Sequence, residues 1–220
     1  MAVDVRLYAI ADPEHTGGRD LADLGAQFAS GGATLVQLRD KKGETREMIE
    51  RARALMHALA PLHVPLLIND RVDVALAVKA AGVHIGQDDM PAADARRLLG
   101  PRAIIGLSVK TLEQGAIAPL EHLDYVAIGG VFATTSKDNT SAPIGLGGLC
   151  AVARAIRTRA SNFPICAIAG INESNAASVI ESGADGVSVI SALSLASDPH
   201  AATQRLRAIV DGALAKRGRA

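Results

Sequence analysis

Eight short apolar runs, each followed by a segment with helical spacing, constrain this chain more than any other feature of it. The runs begin near Val5, Ala33, Pro65, Gly82, Ala103, Leu123, Pro164 and Asp185. Strands that alternate with helices build βαβ units, and such crossovers make the strands parallel. The runs are apolar almost throughout, as in Leu66-Leu67-Ile68 and Val187-Ser188-Val189-Ile190, which suits strands covered by helices on the outside. Among the helical segments, Glu44 to Ala60 is clearest, with Met48, Ile49, Ala52, Leu55, Met56 and Leu59 on one face. Thr45 is its expected N-cap, and Pro61 lies just past its end. A second helix is expected over Asn172 to Glu181, stopped by Gly183.

Eight such units in 220 residues fit the α/β class and a closed (β/α)8 TIM barrel, near the small end of its size range. No composition break divides the chain, so one domain over residues 1–220 is expected. A doubly wound open sheet is the alternative, because periodicity does not show closure. No GxGxxG follows the first run, which weakens a dinucleotide-binding reading. The longest connection, 129–148, is rich in hydroxyls and glycine, as lids and binding loops often are.

Charge is balanced at 23 basic and 23 acidic residues, so no global field favours nucleic acid or an anionic membrane. With no Trp, two Tyr and three Phe, the chain also lacks stacking platforms for single strands. Cys150 and Cys166 form neither a disulfide framework nor a zinc pattern, and Cys166 reads as a buried thiol. Met1 to Arg6 carries no signal-peptide core, and no apolar stretch reaches the roughly 18 residues of a membrane span. A cytoplasmic protein acting on small molecules is expected, with oligomeric state open.

In a parallel barrel the C-terminal strand ends share the face that carries the active site. Here that face gathers Gln37, Arg39 and Lys41, then Asn69-Asp70, Gln87 and Asp89, and Ser108 with Lys110. Thr134, Thr135, Ser136 and Lys137 follow the sixth run, Gly170 the seventh, and Ile190-Ser191 the eighth. Two subsites follow from charge. Asp70 and Asp89 suit Mg2+, which takes one or two carboxylates together with phosphate oxygens and water. Arg39, Lys41 and Lys137 can neutralise the rest of a diphosphate. Gly170 with Ile190-Ser191 lies where barrels often bind a monophosphate.

Each element also has a plainer reading. Asn69-Asp70 can cap a helix starting at Val72, and Asp88 to Pro91 can be a capped turn with Pro91 as first helical residue. Arg39-Asp40-Lys41-Lys42 can be a solvated charge run, and His84 a satisfied interior histidine. Recurrence at successive strand ends is what favours a site.

The motifs Gln37-Leu38-Arg39-Asp40-Lys41, Asn69-Asp70, His84 to Asp89, Gly106-Leu107-Ser108, the Thr134 to Lys137 loop and Gly186 to Ser191 resemble the thiamine-phosphate synthase family. The similarity runs in order from about Tyr8 to Ala196. It implies a barrel that joins 4-amino-2-methyl-5-(diphosphooxymethyl)pyrimidine to a phosphorylated hydroxyethylthiazole. By motif, Gln37, Leu38, Arg39, Asp40, Lys41, Asn69, Ser108 and Lys137 would contact the pyrimidine diphosphate, and Asp70 and Asp89 would bind Mg2+. Arg39, Lys41, Ser108 and Lys137 would carry catalysis. Thr134, Thr135, Ser136, Gly170, Ile190 and Ser191 would surround the thiazole phosphate. Gly130, Ser136 and Ala169 stand where this family usually has proline, threonine and a second glycine. A thiazole tautomerase, a non-catalytic sensor and a sugar-phosphate isomerase are the competing readings. The last would want a clear general base, and only His84 and the two aspartates offer one.

Overall fold

Successive side chains of a strand point to opposite faces, so a strand buried on both faces must satisfy two different cores. The computed structural model describes residues 3–136 and 142–218. Its strands are β1 (Leu7–Ala11), β2 (Leu35–Leu38), β3 (Leu66–Asn69), β4 (Gly82–Ile85), β5 (Ile104–Val109), β6 (Tyr125–Gly129), β7 (Ile165–Ile168) and β8 (Gly186–Val189). They pair in sequence order, all parallel, and β1 pairs with β8 to close the barrel. The open-sheet alternative is thereby excluded.

The helices on the outside are α1 (Leu21–Ser30), α2 (Thr45–Leu59), α3 (Val72–Val78), α4 (Ala92–Leu99), α5 (Leu112–Ile117), α6 (Gly145–Arg159), α7 (Ala176–Glu181), α8 (Ser191–Ser194) and α9 (Pro199–Lys216). The short α8 is inserted between β8 and the last barrel helix, α9. None of the described helices is long and apolar enough to cross a membrane.

Two apolar cores result. The outer one joins Leu7, Val36, Ile68, Val83 and Ile105 of the strands to Leu24, Phe28, Leu55 and Ile156 of the helices. The inner one contains Val5, Tyr8, Leu35, Leu67, Tyr125, Ala127 and Cys166. Tyr8 and Tyr125 meet edge to face, with ring centroids 5.7 Å apart at 84°. Glycines make room for the Tyr125 ring and for close approach of neighbouring backbones. A Cβ on Gly106 would lie 2.0 Å from Tyr125 Cζ, and one on Gly186 would lie 1.7 Å from the Val5 carbonyl oxygen.

Three expectations about local structure need correction. Thr45 is the first residue of α2 rather than its cap; Glu44 holds the cap position without a side-chain bond. The Thr45 hydroxyl instead accepts from Arg71 at 3.1 Å. The second helix starts at Ala176, because Asn172 and Asn175 side chains bond backbone N–H groups of residues 174 and 172 and fold that stretch as a turn. Gly183 does follow its end, at φ +116°. Pro91 caps α4 rather than opening it.

Gly106→Ala forces a methyl into the Tyr125 ring, and overpacking of this kind costs about 1–3 kcal/mol. The urea midpoint of Gly106→Ala should fall accordingly with an unchanged m-value; an unaltered midpoint would show that the inner core is loose.

Candidate functional site

The C-terminal strand ends open into a cleft of about 870 Å³, lined on one side by Arg39, Lys41, Asn69, Asp70 and Asp89 and on the other by Ser108, Thr135 and Ser136. Strand geometry explains most of this convergence: Asn69, His84 and Ser108 are inward positions at the ends of β3, β4 and β5. The Arg39 guanidinium donates to Asp12, whose carboxylate is buried at the end of β1 and also accepts from Glu14 N at 2.9 Å. Arg39 is therefore anchored before any ligand arrives.

Lys41 Nζ donates to Asp70, a residue held in the left-handed region at φ +60°. Burial pushes the Asp70 carboxyl above its usual range, the facing Asp89 carboxylate adds to the rise, and Lys41 opposes it. Asp89 itself accepts from Gly86 N at 2.7 Å, so its carboxylate is fixed to the β4 loop. Neither aspartate caps a helix: the cap position of α3 is Arg71, without a side-chain bond.

Beneath the cleft runs a buried polar chain. Gln37 Nε2 donates to Tyr8 Oη, Tyr125 Oη donates to Tyr8 Oη at 3.0 Å, and His84 Nδ1 bonds Tyr125 Oη at 2.8 Å. His84 Nε2 bonds Ser108 Oγ at 2.8 Å, which brings the chain to the cleft wall. Both ring nitrogens of His84 have partners, as an interior histidine requires.

A smaller pocket of about 40 Å³ adjoins the cleft and shares Ser136, Ile168 and Ala169 with it. Thr134, Gly170, Ser188, Ile190 and Ser191 complete its wall. Ser136 Oγ donates to Ser191 Oγ at 3.0 Å, tying the loop after β6 to the start of α8. Ser188 Oγ is buried in this wall with no hydrogen-bond partner among the described residues.

Residues 7–193 match the family model described as thiamine monophosphate synthase. The chain is 49% identical over 207 residues to the thiamine-phosphate synthase of Albidiferax ferrireducens, covering 94% of this chain and 92% of that protein. To the thiamine-phosphate synthase of Chloroflexus aurantiacus it is 49% identical over 208 residues, covering 94% of each. This chain belongs to the thiamine monophosphate synthase family. It is an enzyme of that type. Its fold matches a solved thiamine phosphate pyrophosphorylase from Pyrococcus furiosus with a TM-score of 0.82 and 37% identity, over 96% of this chain and 98% of that one.

Within this family member, three residues expected at the substrate do not line either pocket. Leu38 points outward into the helix-facing core, because it is one residue out of phase with inward-facing Gln37. Gln37 is itself buried beneath the cleft floor, bonded to Tyr8. Asp40 turns back to accept from Arg51 and from Gly43 N at 2.7 Å, bracing the loop into α2. Lys137 lies outside the described residues. Asp12, Tyr8 and Tyr125 were not expected at the site, and His84 was read as an interior histidine; period-2 alternation marks Tyr8, His84 and Tyr125 as polar residues on inward positions.

Among the described residues no three His, Cys, Asp or Glu side chains cluster as metal ligands. Asp70 and Asp89 nevertheless fit Mg2+: both donors are carboxylate oxygens, and the burial and the facing Asp89 carboxylate that raise Asp70 both disfavour a charge that a divalent cation would stabilise. Because Lys41 holds the Asp70 carboxyl down and Asp89 lifts it, Lys41→Met should move its midpoint up and Asp89→Asn should move it down. Carboxyl 13C titration of both variants in metal-free buffer checks the two signs.

Proposed function

We propose that the protein condenses 4-amino-2-methyl-5-(diphosphooxymethyl)pyrimidine with hydroxyethylthiazole phosphate, giving thiamine phosphate and diphosphate. The observation that carries this reading is the union of two unequal pockets. One is roomy and edged by Arg39, Lys41, Asp70 and Asp89; the other is small and walled by hydroxyls and glycine, and the two share Ser136 and Ala169. A diphosphate-bearing ring and a monophosphate-bearing ring then meet across one shared wall.

The pyrimidine methylene C–O bond breaks with its electron pair passing to the diphosphate oxygen, and the thiazole nitrogen donates its pair to the methylene carbon. The pyrimidine amino group delocalises the positive charge between these events. No covalent nucleophile is required of the protein. Arg39, kept in place by Asp12, and Lys41 face the developing negative charge. By the family motif, Lys137 would be a third cation. Mg2+ held by Asp70 and Asp89 would supply further neutralisation of the diphosphate oxygens. Lys41 already bonds Asp70, so a diphosphate entering the cleft competes for an ammonium that is in position. Thr134, Ser136, Gly170, Ile190 and Ser191 hold the thiazole phosphate, and the Ser136–Ser191 bond keeps the loop over it.

Incubation of the protein with both precursors and Mg2+, followed by oxidation to fluorescent thiochrome, tests the reading. Product should require all three components. Binding without turnover, or conversion of a thiazole carboxylate phosphate alone, would replace it. Asp89→Ala and Arg39→Ala should each lower kcat roughly 10²–10³-fold, the scale for loss of one charge-stabilising group. Ser191→Ala should instead raise the KM for the thiazole phosphate a few-fold, since backbone donors remain.

A further inference from the structure

Asp12 holds more than Arg39. Its Oδ1 caps a single 3-10 turn, Pro13–His15, by accepting from Glu14 N at 2.9 Å, while Oδ2 takes the Arg39 guanidinium. The same Oδ1 lies 3.6 Å from Nδ1 of His15. One buried carboxylate thus sets the relative place of two residues that both line the cleft, Arg39 after β2 and His15 after β1. The loop that carries His15 is tied down again at Arg19, whose guanidinium donates to Ser194 O at 3.1 Å and to Ala196 O at 2.9 Å. His15 Nδ1 is buried and makes no hydrogen bond among the described residues. An ion-paired carboxylate offers only lone pairs, so the hydrogen belongs on Nδ1. With Nδ1 turned to Asp12, the opposite edge of the ring, which carries Nε2, is left for the cleft. The side chain is 22% exposed, so a ligand can reach a ring whose inner nitrogen is covered.

We infer that His15 is a further contact for the diphosphate, binding it as an imidazolium that Asp12 orients beside Arg39. This rests on the reading of the cleft as a diphosphate site, and it adds a residue that none of the strand-end motifs contains. The charges on that side of the cleft decide when the ring is charged. Asp12 and Glu14 favour the imidazolium, whereas Arg39 and Lys42 oppose it, and Glu14 is itself paired with Lys42. An arriving polyanion tips this opposition toward the charged ring, because a nearby opposite charge favours ionisation. Nε2–H then donates to a diphosphate oxygen while Nδ1–H stays with Asp12. Arg39 contributes a planar fork and His15 a single directed donor, and the shared carboxylate keeps both in place before the ligand binds.

Calorimetry with inorganic diphosphate and Mg2+, on wild type and His15→Gln, tests this on the full chain. An imidazole charges on the acid side of neutrality, so the two proteins are compared at about pH 6 and about pH 9. Protonation of the diphosphate and of the other cleft groups is common to both proteins and cancels in the ratio of their dissociation constants. Wild type should bind about fivefold more tightly than His15→Gln at the lower pH, the scale of one partly exposed charge-assisted contact, and no more tightly at the higher. A second readout is 15N NMR of the histidines in the wild-type complex at the lower pH, with His15 assigned through its backbone resonances. Both of its ring nitrogens should be protonated.

An equal loss at both pH values would make His15 a mere support of its loop and overturn the inference. Equal binding by the two proteins at both pH values, or a singly protonated His15 in the complex, would overturn it too. If His15→Gln does not fold, the NMR result on wild type decides. Diphosphate bound with no contribution from His15 leaves the diphosphate reading of the cleft standing, whereas wild type that binds no diphosphate at either pH sinks that reading and this inference with it.

Discussion

Everything at this site depends on the pairing of β1 with β8. That ladder, Leu7 to Val187, Tyr8 to Ser188 and Ala9 to Val189, turns a sheet into a ring and removes both of its edges. A ring of eight strands encloses a fixed interior that side chains must fill. Tyr8 and Tyr125 fill it from distant parts of the chain; Gly106 leaves room for the Tyr125 ring, and Gly82 and Gly186 for neighbouring backbones. Two phenols buried this way need polar partners, since burial pushes both far up in pKa and keeps them protonated. Gln37 and His84 supply those partners, and Ser108 bonds the far nitrogen of His84. The polar chain beneath the cleft is therefore a consequence of closing the barrel with tyrosines, and it links the core to the ligand side.

Above that floor, charge is arranged in pairs before any ligand is present. Arg39 is bonded to Asp12, Lys41 to Asp70, and Arg51 to Asp40. The pairs differ in what they hold. Asp12 is buried and immobilises Arg39, whereas Asp70 is contested between Lys41 and Asp89. A polyanion and a divalent cation entering together can take Lys41 and the two aspartates as separate partners, which resolves the contest. Neither alone leaves every charge matched. Under the proposed function, this would couple the affinity for anion to that for cation without any movement of the barrel.

Fold and rim were legible in the sequence because both rest on strong local signals. The eight apolar runs each became a strand within about two residues of the expected start. Side-chain direction was harder. Gln37, Leu38, Arg39 and Asp40 follow one another in one motif, yet strand alternation sends Leu38 to the outer core and a turn sends Asp40 to Arg51. Asp12 gave no spacing signal, because its partner lies 27 residues away. Tyr8, His84 and Tyr125 are visible only once the inward phase of β1, β4 and β6 is known. Thr45 was misplaced by one residue, a difference that cap chemistry alone does not resolve.

The departure at Ala169 has a physical resolution in the backbone. Ala169 and Gly170 both follow β7 in the left-handed region, at φ +86° and +66°. For alanine that conformation costs about 1–2 kcal/mol. The surrounding structure holds it there: Val131 N donates to Ile168 O at 3.0 Å and Phe132 N to Ala169 O at 3.1 Å, clamping the strand end to the loop after β6. At Gly170 the demand is different. A Cβ there would lie 2.4 Å from Ala133 O and 2.7 Å from Phe132 Cβ, so strain would be joined by collision with that same loop. One position can absorb a methyl at modest strain, and the next cannot accept one at all. The glycine that shapes the small pocket is thus Gly170, and the alanine before it leaves the pocket wall, including Ser136, Ile190 and Ser191, in place.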